Sequence, residues 1–307
     1  VVPQGRLTGL AGGAVPSDGA VLLSLASMNR IEEIDTTSGL MVVQAGCVLQ
    51  TLQDAAEAAG RSFQLDLGAR GSSQIGGNIA TNAGGNRVIR YGMARELVLG
   101  LEVVLADGTV LPMMNRMPKN NAALDLKHLF IGSEGTLALT TGVTLKLSTL
   151  PRHRVMGVCH FPGFRQAMET TRHIVALDPV AVELVDNNVL VLGADIPLFV
   201  KTLGDITRGT PNCLLLVEFA GDDLDALKRD LKRLDQCMSD HGFPDAVVEV
   251  IEPARQKPVW EVREACLNIM MSMKGDGKPV SFIEDCAVPL EHLADYTDAA
   301  TEMFARQ

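Results

Sequence analysis

The segment Gly71–Gly85, GSSQIGGNIATNAGG, constrains the fold more than any other part of the sequence. It holds five glycines, two serines, a threonine and two asparagines among small apolar residues, without a lysine, an acid or a histidine. Glycines let the backbone approach a neighbour closely, and main-chain N–H groups can then donate to something flat or anionic. The segment predicts either a ligand-binding loop or a set of glycine turns packed against each other.

A second glycine-rich loop, Pro3–Gly13 (PQGRLTGLAGG), follows a predicted strand. Two such loops with almost no basic charge indicate a buried pyrophosphate that is held by backbone amide dipoles. Neither loop has the spacing of a Gly-x-Gly-x-x-Gly motif or a Walker motif, which disfavours a nicotinamide dinucleotide or a nucleoside triphosphate.

Charge and composition exclude several classes of protein. The formal net charge is −10 and aromatic residues make up 4% of the chain, so nucleic-acid binding is not expected. No apolar run reaches the length of about 18 residues that predicts a membrane span. The six cysteines form no Cys-x-x-Cys pair and the six histidines show no metal-binding spacing. We therefore expect no metal site in this chain and reduced thiols in a cytoplasmic protein.

Glycine usage changes near Pro151, because 20 of the 29 glycines precede it. We place a domain boundary there, between residues 1–150 and residues 151–307. The first domain reads as strands with short helices, including a helix over Val48–Ala59 and a two-residue hairpin turn at Asp107-Gly108.

The second domain alternates strands and helices in the order of a ferredoxin-like split βαβ sandwich, so the predicted class is α+β. Its predicted strands are Val155–Phe161, Val180–Val185, Cys213–Phe219, Ala246–Ile251 and Val280–Val288. Its predicted helices are Phe164–Leu177, Asp222–His241, Arg255–Met271 and Pro289–Phe304. The chain opens within a strand and stops within the last of these helices, so we expect it to be truncated at both ends.

Seven motifs follow one another in the order and at about the spacing of the FAD-binding domain of the vanillyl-alcohol-oxidase superfamily. They are PQGRLTGLAGG, QAGCVLQTL, LDLGARGSSQIGGNIATNAGG, RYG, LGLEVVLADGTVL, DLKHLFIGSEGTL and VTLKL. The sequence most resembles the branch of D-2-hydroxyglutarate, D-lactate and glycolate dehydrogenases, densely over residues 1 to 150 and more thinly beyond. The resemblance implies a PCMH-type FAD-binding domain, a ferredoxin-like substrate-binding cap and non-covalent FAD.

The same resemblance assigns residues to the cofactor site. Pro3–Leu10 matches the pyrophosphate loop, and Gly71–Gly85 matches the segment that passes the diphosphate and the isoalloxazine ring. The expected FAD-binding residues are Pro3, Gln4, Gly5, Arg6, Leu7, Thr8, Gly9, Leu10, Gly71, Ser72, Ser73, Ile75, Gly76, Gly77, Asn78, Thr81, Asn82, Ala83, Gly84, Gly85, Tyr91, Gly92, Glu134, Gly135 and Leu139.

For the substrate, the resemblance implies that Arg263 grips a carboxylate, since a planar guanidinium binds carboxylates bidentately. Asn82 is expected either to hydrogen-bond flavin or substrate or only to form its turn. The activity implied is oxidation of a D-2-hydroxy acid by hydride transfer to flavin N5. The family's general base and its His-rich metal motif are expected beyond residue 307, so a divalent metal is expected only in a longer form.

Three departures from the family pattern keep alternatives open. Arg6 stands in the pyrophosphate loop, where it could pair with a phosphate or impede cofactor entry. Ala138 replaces a glycine beside the adenine site, and Ile283 stands where a lysine is common in the D-2-hydroxyglutarate type. The chain could therefore be a flavin-binding but catalytically incomplete fragment, or another oxidoreductase of the same fold. The electron acceptor is unidentified, and a homodimer is as open as a monomer.

Overall fold

The computed structural model describes residues 1–266 and 286–306, and the chain packs as two units, Val1–Leu150 and Pro151–Gln307. Each unit combines an antiparallel sheet with helices around its own hydrophobic core. The α+β class predicted from the sequence is thereby confirmed.

The first unit is built from short elements joined by long loops. In chain order they are β1 (Val2–Gln4), β2 (Leu22–Ser24), β3 (Ile31–Asp35), β4 (Leu40–Gln44), α1 (Leu49–Ala58), β5 (Arg61–Ser62), α2 (Ile75–Ala80), α3 (Val88–Tyr91), α4 (Ala94–Leu97), β6 (Val98–Val104), β7 (Val110–Met113), α5 (Lys127–Phe130), β8 (Leu139–Lys146) and β9 (Ser148–Thr149).

Five of these strands form one antiparallel sheet in the order β3-β4-β8-β6-β7. Helix α1 buries Leu49, Leu52 and Ala56, whose spacing places them on one helix face, in the core below this sheet. The predicted helix Val48–Ala59 is therefore confirmed to within a residue at each end. Strands β1 and β2 pair in parallel, and β5 pairs with β9.

The second unit has longer elements. They are β10 (His153–Phe161), α6 (Phe164–Val175), β11 (Ala181–Asp186), α7 (Asn187–Ala194), α8 (Pro197–Ile206), β12 (Cys213–Gly221), α9 (Leu224–Asp240), β13 (Val247–Val250), α10 (Pro253–Glu264), a 3₁₀ turn (Leu290–His292) and α11 (Leu293–Ala305).

The four strands found in the described part of this unit form an antiparallel sheet in the order β11-β12-β10-β13. Numbered within the unit, that order is 2-3-1-4, which is the ferredoxin-like arrangement expected from the sequence. Along β10, Val155, Cys159 and Phe161 enter one core cluster with α6 and α9. Met156 and Val158 enter a second cluster with α7, α8 and α10, because successive side chains alternate between faces. Both faces of the sheet are therefore covered by helices.

The structure corrects the predicted hairpin turn. Strands β6 and β7 pair Val104 with Val110, and the Leu105 N–H donates to Thr109 O at 2.9 Å. The loop therefore has three residues instead of the predicted two. Gly108 adopts a φ of +87°, the left-handed conformation that closes a three-residue hairpin loop.

Helices α7 and α8 are not in the sequence prediction, although their caps are visible in the sequence. Asp186 accepts a hydrogen bond from the Val189 N–H at 3.0 Å, and Pro197 stands in the first turn of α8. Helix α10 begins two residues earlier than predicted and ends at Glu264. Residues 267–271 of that prediction, and residues 280–285 of the predicted strand Val280–Val288, lie outside the described residues. The described part of that strand, residues 286–288, has no regular secondary structure.

Candidate functional site

Three loops that the sequence assigns to a cofactor lie together in the first unit. A Cβ atom on Gly5 would stand 3.3 Å from Gln74 Oε1, which brings the Pro3–Leu10 loop against the start of α2. The Glu134 N–H donates to Ala80 O at 2.9 Å, and a Cβ on Gly135 would stand 2.8 Å from Pro3 Cγ. The fold thus gathers the Pro3–Leu10 loop, the Gly71–Gly85 segment and the loop that contains Glu134 and Gly135.

Backbone strain concentrates in the same three loops. Six described non-glycine residues have a positive φ, and Leu7, Asn82 and Glu134 are three of them, with φ values of 55°, 49° and 52°. One such residue lies in each loop. A left-handed conformation costs a non-glycine residue about 1–3 kcal/mol and is found where the surrounding structure fixes the backbone. The loops are therefore held in defined conformations.

The glycines of the second loop fall into two groups. A Cβ on Gly76 would stand 2.9 Å from Ala45 Cβ, and one on Gly85 would stand 2.0 Å from Asp66 O. These two glycines are required by packing within the protein. Gly71 and Gly77 have nothing within 4 Å of the Cβ position, and neither has a positive φ. The fold does not require glycine at these two positions, so the space beside them is available to a ligand.

The Pro3–Leu10 loop has the same open character. Gly9 has nothing within 4 Å of its Cβ position, and Arg6, Leu7 and Leu10 are exposed. Within the described part of the chain, the N–H groups from Arg6 to Leu10 donate to no other residue, and the Arg6 guanidinium pairs with no carboxylate. The loop therefore presents donors and one cation to its surroundings.

Other predicted residues contribute to the local structure. Ile75 is 1% exposed and belongs to the core, and the buried Asn78 donates to Ser73 Oγ at 3.5 Å. Thr81 Oγ1 donates to Gly77 O at 3.2 Å. Tyr91 packs against the core. The remaining predicted positions lie in the loops or at their ends: Pro3 and Gln4 in β1, Thr8 in the first loop, Ser72, Ala83 and Gly84 in the second, Gly92 after α3, and Leu139 at the start of β8.

The side chain of Asn82 forms hydrogen bonds within the chain that could not be predicted from the sequence. Its Oδ1 accepts a hydrogen bond from the Arg95 N–H at 3.0 Å, and its Nδ2 contacts Met93 Sδ at 3.8 Å. The Arg95 guanidinium in turn donates to His128 O at 2.7 Å. Asn82 therefore ties the glycine-rich segment to α4.

A pair of buried polar atoms marks the first unit. Among the described residues, Gln64 Nε2 and Gln74 Oε1 are the buried side-chain nitrogen and oxygen atoms without a hydrogen-bond partner in the chain. Buried polar groups are nearly always paired, so each such atom calls for a partner. Together with the open glycine positions, they fit a ligand that brings hydrogen-bonding groups to these loops. The residues present are thus compatible with a dinucleotide such as FAD.

In the second unit, α10 carries polar side chains onto the face of the sheet. Arg263 Nε and Nη2 lie 2.8 Å and 2.7 Å from Glu183 Oε2, on β11. Trp260 Nε1 donates to Glu218 Oε2 at 3.1 Å, and Arg154 Nη1 to Glu218 Oε1 at 2.6 Å. Burial acts to lower the pKa of Arg263, but Glu183 and Cys266 together outweigh it and the pKa is raised, so the guanidinium stays charged.

Arg263, the predicted substrate clamp, is therefore already bound on one edge by a carboxylate of its own chain. Ile283, at which the sequence departs from the family pattern, lies outside the described residues. Over residues 1–266 and 286–306, no group of three or more His, Cys, Asp or Glu side chains is arranged to hold a metal ion. In the same residues, no helix is both long and apolar enough to cross a membrane.

Two family profiles divide the chain between them. The profile of the FAD binding domain matches residues 1–113, and that of the C-terminal domain of FAD linked oxidases matches residues 150–307. The chain therefore belongs to the FAD-linked oxidases, and FAD is the cofactor of its family, as the sequence motifs implied.

Individual relatives narrow the comparison. The chain is 37% identical over 306 residues to a probable mitochondrial D-2-hydroxyglutarate dehydrogenase of Oryza sativa subsp. indica, covering 97% of this chain and 53% of that protein. It is 36% identical over 301 residues to the mitochondrial D-2-hydroxyglutarate dehydrogenase of Danio rerio, covering 96% and 54%. The Bos taurus enzyme of that name is 49% identical over 172 residues, which is 56% of this chain and 32% of that protein. The chain spans about half the length of the Oryza sativa and Danio rerio proteins.

A solved structure of an alkyldihydroxyacetonephosphate synthase matches the fold with a TM-score of 0.69, covering 88% of this chain and 50% of that one at 20% identity. This likeness supports the architecture alone.

The cytoplasmic location predicted from the sequence is wrong. The relatives from Oryza sativa, Danio rerio and Bos taurus are all named as mitochondrial proteins. The physical basis of the prediction was too weak to decide this, because free thiols report the redox state of a compartment and not its identity. None of the six cysteines, all of which lie within the described residues, forms a disulfide bond.

Proposed function

We propose that this chain contains the FAD-binding and substrate-binding parts of an FAD-dependent D-2-hydroxyacid dehydrogenase that acts on D-2-hydroxyglutarate. The observation that carries the proposal is the identity of 36–37% over nearly the whole chain to proteins of that name. The proposal that the first unit binds FAD is supported by the open space beside Gly71 and Gly77 and by the unpaired buried atoms Gln64 Nε2 and Gln74 Oε1. We also propose a mitochondrial location, as in those relatives.

Bound FAD would supply the acceptor for the hydride equivalent that leaves the α-carbon of the substrate, and a separate acceptor would then take the electrons. The residues of the chain itself bind the cofactor and the substrate and position them. Arg6 pairs with a phosphate of the cofactor, since its guanidinium has no other partner in the described chain. The N–H groups of the Pro3–Leu10 loop donate to the same phosphates, and Gly71 and Gly77 leave room for the cofactor to lie against the backbone.

Arg263 holds the carboxylate of the substrate in this proposal. Glu183 binds Nε and Nη2, and a further hydrogen bond joins the guanidinium to Cys266, so the plane of the group is fixed. In this proposal the remaining N–H groups bind the second carboxylate. A guanidinium that is oriented in advance loses less entropy when the substrate binds. Glu183 is thus a positioning residue for Arg263.

The first experiment is a visible absorption titration of the purified chain with FAD, followed by anaerobic addition of D-2-hydroxyglutarate. We expect a flavin spectrum that bleaches with the D enantiomer and persists with the L enantiomer. D-Lactate and glycolate in parallel test for a different 2-hydroxy acid. Bound flavin that no 2-hydroxy acid bleaches would contradict the activity and favour the catalytically incomplete alternative. A folded chain that binds no FAD would overturn the proposal as a whole.

The substrate role of Arg263 has its own test. In Arg263→Met, the KM for D-2-hydroxyglutarate should rise about 10- to 100-fold, because a hydrogen bond to a charged group contributes about 1.5–3 kcal/mol. Flavin content should not change. The control is Arg255→Met on the same helix, whose charge is exposed and pairs only with Glu252 among the described residues. An unchanged KM in a folded Arg263→Met variant would assign Arg263 to structure alone.

A further inference from the structure

Gln74 is a buried residue that the flavin-binding motifs do not assign to the cofactor. The side chain belongs to a residue that is 3% exposed, and Oε1 has no hydrogen-bond partner in the described chain. Leaving a buried acceptor unpaired opposes folding, while an apolar group of the same shape would carry no such cost. A glutamine at this position therefore needs a reason that the packing of the chain does not supply.

The backbone around Gln74 is fixed on both sides. Gln74 forms an isolated antiparallel bridge with Val48, and the Ile75 N–H donates to Cys47 O at 2.9 Å. Gln74 O accepts the Asn78 N–H at 3.0 Å as α2 begins. The side chain thus starts from a backbone position that is fixed by hydrogen bonds, and the residue is buried.

The position of Oε1 points to a ligand at the glycine loops. A Cβ atom added to Gly5 would lie 3.3 Å from Oε1, so the Pro3–Leu10 loop lies next to this oxygen. Gly77, one helical turn away at most, faces open space. A group lying along both loops would come within reach of Oε1. That group has to be a donor, because an amide oxygen can only accept.

We propose that Gln74 Oε1 binds FAD directly, by accepting a hydrogen bond from a sugar hydroxyl of the dinucleotide. The inference rests on the proposed function. The phosphates of FAD are acceptors and cannot serve as the partner, whereas the ribityl chain and the ribose both carry hydroxyl donors. The buried oxygen, unpaired in the chain, is paired in the complex.

The test separates a role in binding from a role in folding by replacing Gln74 with a side chain of similar shape. In Gln74→Met, we expect the apo chain to be at least as thermally stable as the wild type, while the dissociation constant for FAD rises about tenfold. FAD affinity is measured by quenching of flavin fluorescence. Gln74→Leu repeats the measurement with a branched side chain.

The matched control is Gln256→Met in the second unit. Gln256 is 5% exposed, and its Nε2 donates to Arg154 O, Val250 O and Ile251 O at 2.8, 3.2 and 2.8 Å. This glutamine is satisfied by the chain itself. Gln256→Met should therefore lower the melting temperature of the apo chain and leave the FAD affinity unchanged, the opposite pattern to Gln74→Met.

Each outcome decides the question. If the wild type binds FAD and Gln74→Met binds it with the same affinity, the inference is overturned and the proposed function stands. A large loss of apo stability in both Gln74 variants assigns the residue to the fold and also overturns it. Failure of the wild type to bind FAD refutes the proposed function instead. Competition with FMN and with ADP then identifies the donor, since the first carries the ribityl hydroxyls and the second those of the ribose.

Discussion

At the scale of residues, identical amino acids in one loop have different duties. Gly76 and Gly85 are glycine because the protein backbone leaves no room for a Cβ, whereas Gly71 and Gly77 meet nothing. The sequence left both explanations open for the whole segment, and each applies to part of it. The burial of Gln74 could not be predicted from the sequence, because a glutamine between a serine and an isoleucine is as easily exposed as buried. Only the packed structure identifies its unpaired oxygen.

His160, at the end of β10, gives the second unit a predicted pH dependence. Its Nδ1 lies 2.9 Å from Ala246 O, and its Nε2 accepts from the Arg208 N–H at 3.0 Å. Burial lowers the pKa of His160 below 6.5, although the carbonyls of Ala246 and Ile206 act the other way. Below pH 6.5 the unfolded chain binds a proton that the folded chain resists, so stability should fall as the pH drops.

Urea unfolding from about pH 7 to about pH 5 checks this. We expect the wild type to lose stability across that range and His160→Gln to lose less. At about pH 7 the variant should be less stable by about 1–3 kcal/mol, because buried partners lose their hydrogen bonds. His173→Gln is the control: the pKa of His173 is also lowered, but the ring is near the surface. Equal pH slopes in wild type and His160→Gln would refute the role of His160.

At the scale of elements, α2 is the part of the structure in which fold and candidate site overlap. One face of this six-residue helix packs on the core through Ile75 and Ile79, and Gly77 lies on the exposed side. Strongly patterned elements such as α1 were predictable to within a residue. Helix α7 was missed because its sequence, NNVLVLGA, is too short and too uniformly apolar to show a helical period.

Gly77→Ala tests whether the exposed side of α2 faces the cofactor. Alanine is the better helix former, so the apo chain should gain up to about 1 kcal/mol of stability. The added methyl group should press on bound FAD and weaken its binding about tenfold, in line with the usual cost of overpacking. Thermal unfolding and flavin fluorescence measure the two effects.

Gly76→Ala is the matched control for that substitution. Its new Cβ would stand 2.9 Å from Ala45 Cβ and 3.0 Å from Ala45 O, so the apo chain should lose about 1–3 kcal/mol. If Gly77→Ala bound FAD as tightly as the wild type, the cofactor would not lie along this side of α2.

At the scale of the whole molecule, the chain consists of two units with separate cores. The ferredoxin-like order of the second was predictable because its strands and helices alternate with clear periods. The location in the cell was not, because free cysteines do not distinguish one reducing compartment from another.

Separate cores predict separate responses to the cofactor. A ligand that binds the folded state at a concentration of 100 times its dissociation constant stabilises that state by about 2.7 kcal/mol. FAD should therefore raise the melting temperature of the transition that belongs to the first unit, which differential scanning calorimetry measures. NAD, which the loop spacing disfavours, should change neither transition. A single transition that FAD shifts as a whole would show that the two units unfold together.

Each unit contains buried cysteines whose reaction with a reagent would report that the core of that unit has opened. Burial raises the pKa of the Cys213 thiol to about 11, and it raises the pKa of Cys159 and of Cys47 as well. Cys47 lies in the first core, and the other two lie in the second. A thiol that is both hidden and protonated reacts with an alkylating reagent only after its surroundings come apart. Mass spectrometry of alkylated peptides would thus time the opening of the two cores in one sample of the unmutated chain.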